Sequence, residues 1–534
     1  MLRIGILLDS STIQAWQAEA IRQILSSGLA EISVLVFNQS PKSSGNPSPM
    51  GYRIYRALDR TLFNTKWDAF KAVSIDDILP RDIETVTLKP IQKKYRDSFS
   101  NADLDRIEEF KLDVLLRFGF RILSGKILTL PKLGVWSFHH GDPAVYRGGP
   151  PAFWEVMRQI PSTGVALLQL TEKLDQGPIL YQSWTQTDPL SVQRNANKLF
   201  WLSACFPVRV IREIHQVGLE KWKNNRLDHP NKPTGPLWRP PSASRLLPLI
   251  SKLIFRTILR KWKERLFKPH WDLGYVENLT FTNQILAPQD VQLVPNPRSA
   301  ESYLADPFPI QQQGKDWIFA EEYSKREGKG RITVVDQQGA IRPVVEEKWH
   351  LSYPFIWEEN GQWSLIPESA ASGQIWKYTA VDFPFVWQRK EVMLPVEGYD
   401  PTLWKSTEGY WLFVNQKAHP ACSPFDELYL YFSPSLDFPT WVSHALNPIV
   451  SDVRRSRPAG RLFLKNGKLY RPAQDSEKRY GHRIRLMEIK KLSLSDYEEV
   501  EVCKIEPSES SSILGIHTLN QMGDRWVMDF YFRK

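Results

Sequence analysis

The second half of this 534-residue chain repeats itself, and no other feature restricts its fold as strongly. Ala305-Asp-Pro-Phe leads to Asp316-Trp-Ile-Phe-Ala-Glu321, and Ser352-Tyr-Pro-Phe leads to Trp363-Ser-Leu-Ile-Pro-Glu368. Tyr399-Asp-Pro-Thr leads to Tyr410-Trp-Leu-Phe-Val-Asn415, and Arg457-Pro-Ala leads to Leu469-Tyr-Arg-Pro472. A weaker fifth unit runs from Gly515 to Asp529. Each unit is a short apolar strand, a turn with Gly, and a strand led by Trp or Tyr. A period of about 45–60 residues with several strands per repeat belongs to propeller blades. The reading is an all-β, five-bladed propeller over 271–534.

A chain of 534 residues exceeds what one hydrophobic core usually supports, so a further domain is expected upstream. Residues 1–225 read as α/β. Arg3–Asp9 is a buried strand, Thr12 can cap a helix reaching Ser27, and Glu31–Asn38 is a second strand. Strand, helix and strand at that spacing make a βαβ unit and start a parallel sheet. Residues near 41–51 read as a loop. A charged helix covers Asn101–Phe110, strands follow at Asp113–Phe118, Val135–Phe138 and Thr163–Leu170, and one helix is expected over Val192–Val217.

Asp228–Ser244 is proline-rich and reads as a linker, so 226–270 is assigned to the linker and the basic helix after it. In 244–268, Leu246, Ile250, Leu253, Phe255, Ile258 and Trp262 alternate with Arg and Lys. Such a helix either packs its apolar face between domains or lies on an anionic membrane surface. A net charge of +10 over this length is modest and favours no nucleic-acid partner. Three widely separated cysteines make neither a disulfide framework nor a metal site, which fits a reducing compartment. No run of residues reaches a membrane span, and the expected setting is cytoplasmic, with peripheral membrane contact through 244–268 as the alternative.

The chemistry concentrates in Gly134-Val-Trp-Ser-Phe-His-His-Gly-Asp-Pro-Ala-Val-Tyr-Arg-Gly148. An apolar strand runs into a loop carrying His139, His140, Asp142 and Arg147, and α/β sheets place ligands at the carboxyl ends of strands. Downstream lies Leu174-Asp-Gln-Gly-Pro-Ile179. The ordered set Ser137-Phe-His139, Tyr146-Arg-Gly148 and Leu174–Ile179, with Phe120-Arg-Ile-Leu123 upstream, resembles the N10-formyltetrahydrofolate-dependent formyltransferases. That resemblance implies a Rossmann-like domain that transfers a formyl group to an amine. Carried over, it makes His139 and Asp175 catalytic and gives Phe120, Arg121, Ile122 and Leu123 to the folate. A histidine near neutrality can take the amine proton or support the developing oxyanion, with a carboxylate orienting it. The family's asparagine, an amide donor to that oxyanion, is Ser137 here, whose shorter hydroxyl offers one donor. His140, Asp142 and Arg147 are the expected substrate contacts.

The repeats resemble the N-terminal domain of plant glucosamine inositolphosphorylceramide transferases and the propellers of family 43 glycosidases, through Ala305-Asp-Pro-Phe, His350-Leu-Ser-Tyr-Pro-Phe, Ile366-Pro-Glu-Ser and Tyr399-Asp-Pro-Thr. That resemblance implies an axial acidic site of Asp306, Glu368 and Asp400 and a glycan ligand. The leading expectation is formyl transfer to an amino sugar or sugar nucleotide in surface glycan synthesis. The alternative is a glycan-binding or glycan-processing propeller beside an inactive formyltransferase-like domain.

Overall fold

The computed structural model describes all residues except 41–47, 81, 94, 228, 268, 278, 437–439, 509–510 and 534. Part of the expected loop at 41–51 and the end of the 244–268 segment therefore lie outside the described residues. The chain forms two units, Met1–Ile258 with Ala418–Ser423, and Leu259–Lys417 with Pro424–Lys534.

The first unit is built on seven strands: β1 (Leu2–Leu8), β2 (Ala30–Asn38), β3 (Glu84–Leu88), β4 (Val114–Arg117), β5 (Val135–His139), β6 (Ser162–Gln169) and β7 (Ile179–Gln186). Their order is β7-β6-β5-β4-β1-β2-β3. The five from β5 to β3 are parallel, and β6 and β7 add antiparallel at one edge. Near-continuous apolar runs such as Ile4-Gly-Ile-Leu-Leu8 suit parallel strands covered on both faces.

The helices are α1 (Ala15–Ser26), α2 (Met50–Leu62), α3 (Asn101–Glu108), α4 (Phe153–Arg158), α5 (Val192–Ser203), α6 (Phe206–Val217), α7 (Leu219–Arg226) and α8 (Ala243–Leu266), of which α2, α4 and α8 share an apolar cluster of their own. After β1 the chain crosses to β2 on one side, while β4 pairs on the other. That switch opens a crevice at the carboxyl ends of β1, β4 and β5.

Three local expectations are corrected. Thr12–Gln14 is a short strand paired with Ala72–Ser74, so α1 starts at Ala15 with Gln14 as its cap. The single helix over Val192–Val217 is two, α5 and α6, because Pro207 has no N–H to continue the ladder and sits instead in the first turn of α6. The proline-rich segment is no free tether. Leu237–Trp238 pairs with Arg147–Gly148, Thr234 and Gly235 donate N–H to the Ala144 carbonyl, and Asn231 Nδ2 donates to the Asp175 carbonyl (2.7 Å).

The second unit is a five-bladed propeller of antiparallel sheets. Three blades are contiguous, over Ser302–Val345, Ser352–Leu394 and Tyr399–Ser451. The fourth, from Arg457 to Pro507, gains Gln284–Leu286 in parallel with Tyr497–Pro507. In the fifth, Pro269–Val276 pairs with Arg525–Arg533, so the start of the unit closes the ring with its end.

The Asp-Pro repeat has a structural cause. Between Ala305 and Phe308, Ser352 and Phe355, and Tyr399 and Thr402 the ladder skips two residues. The first skipped residue, Asp306, Tyr353 or Asp400, has φ near +50° (52°, 45° and 48°), and proline follows each. Each bulge bends its strand and turns one side chain out of the ladder.

Candidate functional site

His139 ends β5 and Arg117 ends β4, so sheet geometry puts both at the crevice. His139 Nε2–H donates to the Tyr146 carbonyl (2.8 Å), and because a carbonyl only accepts, that nitrogen carries a proton. The other nitrogen, Nδ1, faces Asp175 Oδ1 at 3.6 Å. In neutral His139, Nδ1 is therefore a lone pair set beside a carboxylate, ready to take a proton that Asp175 then balances.

Asp175 is placed by its own motif. It adopts φ +59°, a conformation aspartate tolerates. Two residues on, Gly177 is pressed on the end of β6, where a Cβ would lie 1.7 Å from the Gln169 carbonyl oxygen. Asp175 Oδ2 and Arg147 Nε stand 3.8 Å apart, both buried without a hydrogen-bond partner, while Arg147 Nη2 donates to the Leu174 carbonyl (3.3 Å). Arg147 thus braces the Asp175 loop.

Ser137, also on β5, is buried, and its Oγ accepts from Arg117 Nη1 (2.9 Å). Arg117 also donates from Nε to the Arg121 carbonyl (3.2 Å) and from Nη2 to the Phe120 carbonyl (3.0 Å). Burial holds its pKa below the usual guanidinium range, with Asp9 and Asp97 opposing the shift. The Phe120–Leu123 segment divides its labour. Phe120 has φ +63° with its N–H on Asp9 Oδ1, and Arg121 grips the buried Asp97 (2.9 and 2.7 Å). Ile122 and Leu123 line the larger cavity. The Phe120 and Arg121 carbonyls hold Arg117.

Two cavities meet at Arg117, Ser137 and Phe138. The larger, about 730 Å³, has His139, Asp175, Ile122, Leu123, Leu168 and Trp238 among its walls. The smaller, about 440 Å³, lies over the β1–α1 turn and is lined by Asp9, Ser10, Gln17, Trp16, Phe118 and Phe200, among others.

His140 and Asp142 are each held by neighbouring residues. The His140 ring stacks on Phe200 (3.5 Å), meets Trp16 edge-on (5.2 Å) and engages Ser203 Oγ (3.1 Å). Burial, then His139, lowers its pKa to about 3, so it is a neutral part of the smaller cavity's wall. Asp142 Oδ1 accepts from Ala144 N–H (2.9 Å) and shapes the turn.

Sequence reasoning missed Arg117, Trp238 and Glu155. Arg117 reads as one polar residue in an apolar strand, and Trp238 lay in the supposed linker. Glu155 on α4 is buried with Oε1 unpartnered, and burial raises its pKa to about 7. A lone buried carboxyl leaves no sequence signal.

In the propeller, Asp306, Glu368 and Asp400 do come into one buried cluster, each already engaged. Arg457 binds Asp400 through Nε and Nη2 and Glu368 through Nη2 (3.1 Å). Asp306 accepts from Thr518 Oγ1 (2.8 Å) and Tyr353 N–H (3.2 Å). Burial raises the pKa of Asp306 to about 6, against the effect of His517, and pushes Glu368 well up. Two carboxylates flanking a glycosidic bond need a sugar between them, and here one guanidinium occupies both. Arg457-Pro458 stands in the fourth repeat where Asp306-Pro307 and Asp400-Pro401 stand in the first and third, a signal the repeats carried. Asp306, His517 and Asp529 place ligand atoms within 4.8 Å of one another, a grouping outside the expectation of no metal site. The 2.6 Å contact of His517 Nδ1 with Asp529 makes that part an ion pair.

The first unit is an α/β domain that resembles formyltransferases, and the second is a five-bladed propeller. The family model for the N-terminal domain of glucosamine inositolphosphorylceramide transferase 1 matches residues 280–513. The chain is 35% identical to glucosamine inositolphosphorylceramide transferase 1 of Arabidopsis thaliana over 209 residues, 38% of this chain and 27% of the relative. It is 30% identical to the bifunctional polymyxin resistance protein ArnA of Wigglesworthia glossinidia brevipalpis over 126 residues, 23% of this chain and 19% of that protein. It is 32% identical to methionyl-tRNA formyltransferase of Prochlorococcus marinus over 118 residues, 21% of this chain and 34% of the relative. A glycinamide ribonucleotide transformylase structure from Symbiobacterium toebii is similar over 40% of this chain and 87% of its own, at 16% identity and TM-score 0.28.

Proposed function

We propose that the first unit transfers a formyl group from N10-formyltetrahydrofolate to the amine of an amino sugar or sugar nucleotide. The observation that carries this is His139 Nδ1 facing Asp175 at the wall of a cavity of about 730 Å³. The cavity suits the donor: its volume lies in the range that holds a cofactor-sized ligand, and Ile122, Leu123 and Leu168 give it an apolar wall. The buried, unpartnered Asp175 Oδ2 supplies a polar acceptor at the reacting end.

The donor supplies the formyl carbon, whose oxygen gains negative charge as the amine adds. His139 Nδ1 takes the amine proton, Asp175 stabilises the imidazolium that results, and that proton would pass to N10 as its bond to the formyl carbon breaks and tetrahydrofolate leaves. Arg117 replaces the missing amide donor. Its Nη1 donates to Ser137 Oγ, which leaves the hydroxyl hydrogen aimed elsewhere and polarised, and each Nη keeps a second N–H. Those donors lie where the two cavities meet, where charge on the formyl oxygen is best stabilised.

The smaller cavity supports a sugar acceptor. Trp16, Phe118 and Phe138 contribute aromatic carbon to its wall, and Asp9, Ser10 and Gln17 offer partners to a sugar's hydroxyls. The propeller carries the glycan context, and a cytoplasmic setting goes with three widely separated, buried cysteines. The test incubates the full chain with formyl donor and a panel of nucleotide-linked amino sugars. Formylated product is expected, with His139→Ala lowering kcat about 10²–10⁴-fold while the melting temperature holds. No product across the panel, and no rise in melting temperature with folate, overturns the reading.

A further inference from the structure

Most large apolar side chains on this protein are covered, and two helices are the exception. On α2, Met50, Ile54, Leu58 and Leu62 follow a four-residue spacing and are each more than half exposed. On α8, Leu247, Ile254, Phe255, Ile258, Trp262 and Leu266 are also more than half exposed. These ten outnumber all other large apolar side chains exposed to that degree among the described residues.

The two helices are neighbours. Gly51 lies against Ala243 and Leu246, and Tyr52 and Tyr55 share an apolar cluster with Leu246, Leu249, Ile250 and Leu253. Over Ala243–Ile258, the part that belongs to the first unit, α8 therefore has two apolar faces, one that anchors it beside α2 and one left exposed. An uncovered stripe of this size marks an interaction surface.

Charge selects the partner. Between Arg245 and Arg265, α8 carries seven Arg and Lys against one acid, Glu264. On α2, Arg56 is paired with Asp59, while Arg53 and Arg60 point to solvent. A second copy of this chain would bring cation rows against cation rows. A bilayer with anionic lipid answers both features at once, taking aromatic and aliphatic side chains into the headgroup boundary and the cations against phosphates.

We propose that α2 and α8 together form a docking surface for an anionic membrane, on which the protein lies without crossing. No helix among the described residues is long and apolar enough to span a bilayer. The inference stands independently of the formyl-transfer reading.

The test is co-sedimentation of the full chain with vesicles of phosphatidylcholine, with or without one third phosphatidylglycerol. Binding to the anionic vesicles is expected, with loss on raising salt to 0.5 M and about fivefold weakening for each cation removed in Lys252→Ser and Arg256→Ser. Phe255→Glu with Trp262→Glu, and separately Ile54→Glu with Leu58→Glu, should each weaken binding more than tenfold with an unchanged melting temperature. No binding to anionic vesicles overturns the proposal. So does binding indifferent to both double variants, or a dimer in light scattering that either variant dissolves.

Discussion

At the scale of single residues, the site turns on which hydrogen bonds are already made. The Tyr146 carbonyl takes one His139 proton and so leaves Nδ1 open toward Asp175. Arg117 is the residue on which the altered donor set depends. Arg117→Met, which keeps length and loses the donors, should lower kcat about 10²-fold with little change in KM for the formyl donor. A double-mutant cycle with Ser137→Ala should show that the two losses do not fully add, because Arg117 polarises the Ser137 hydroxyl through their hydrogen bond (2.9 Å).

Glu155 makes a second prediction at this scale. In the unfolded chain its carboxyl ionises from about 4.5, whereas burial keeps it protonated to about 7 in the fold. The folded state thus binds the extra proton between those values, and stability falls as pH rises through that window. Glu155→Gln removes the charge that must otherwise be buried. It should stabilise the first unit by about 2 kcal/mol at pH 8 and leave it unchanged near pH 4, as read by denaturant unfolding.

At the scale of elements, motifs that looked chemical prove to be geometric as well. The Leu174–Ile179 segment needs Gly177 because that residue abuts the Gln169 carbonyl at the end of β6. Gly177→Ala should displace the Asp175 loop and cut kcat at least tenfold while the circular dichroism spectrum stays native. Arg147 holds the same loop from the other side, through the Leu174 carbonyl. The proline-rich segment also belongs to the site, since Leu237–Trp238 pairs with Arg147–Gly148 and Trp238 walls the larger cavity. Its composition spoke only of absent helix and strand, which is why it passed for a tether. The Asp-Pro repeats carry a comparable lesson: the dipeptide first makes a bulge, and the side chain it turns out of the ladder differs from blade to blade.

At the scale of the whole molecule, the propeller core is held by buried charge. Arg457 is engaged by Asp400 and Glu368, and the attraction of those carboxylates raises its pKa well above the usual value against the effect of burial. Arg457→Met would leave two buried carboxylates without their cation. A loss of about 3–5 kcal/mol in the stability of the second unit is expected from its unfolding transition. The same cluster sets what the axis can accept, because a ligand reaching Asp400 or Glu368 must displace or use a guanidinium already in place.

The sequence alone determined the division into an α/β half and a repeating β half and the count of blades, and its resemblance to formyltransferases singled out His139 and Asp175 as the candidate pair. Those features are local or periodic: a parallel strand is a short apolar run, a blade recurs at a fixed interval, and an ordered motif keeps its spacing. Tertiary structure alone decided that Arg117 stands beside Ser137, that His140 is packed between Phe200 and Trp16, and that Arg457 joins Asp400 to Glu368. Each of these joins residues from different strands or helices. Sheet order and packing set such meetings, and no spacing along one segment encodes them.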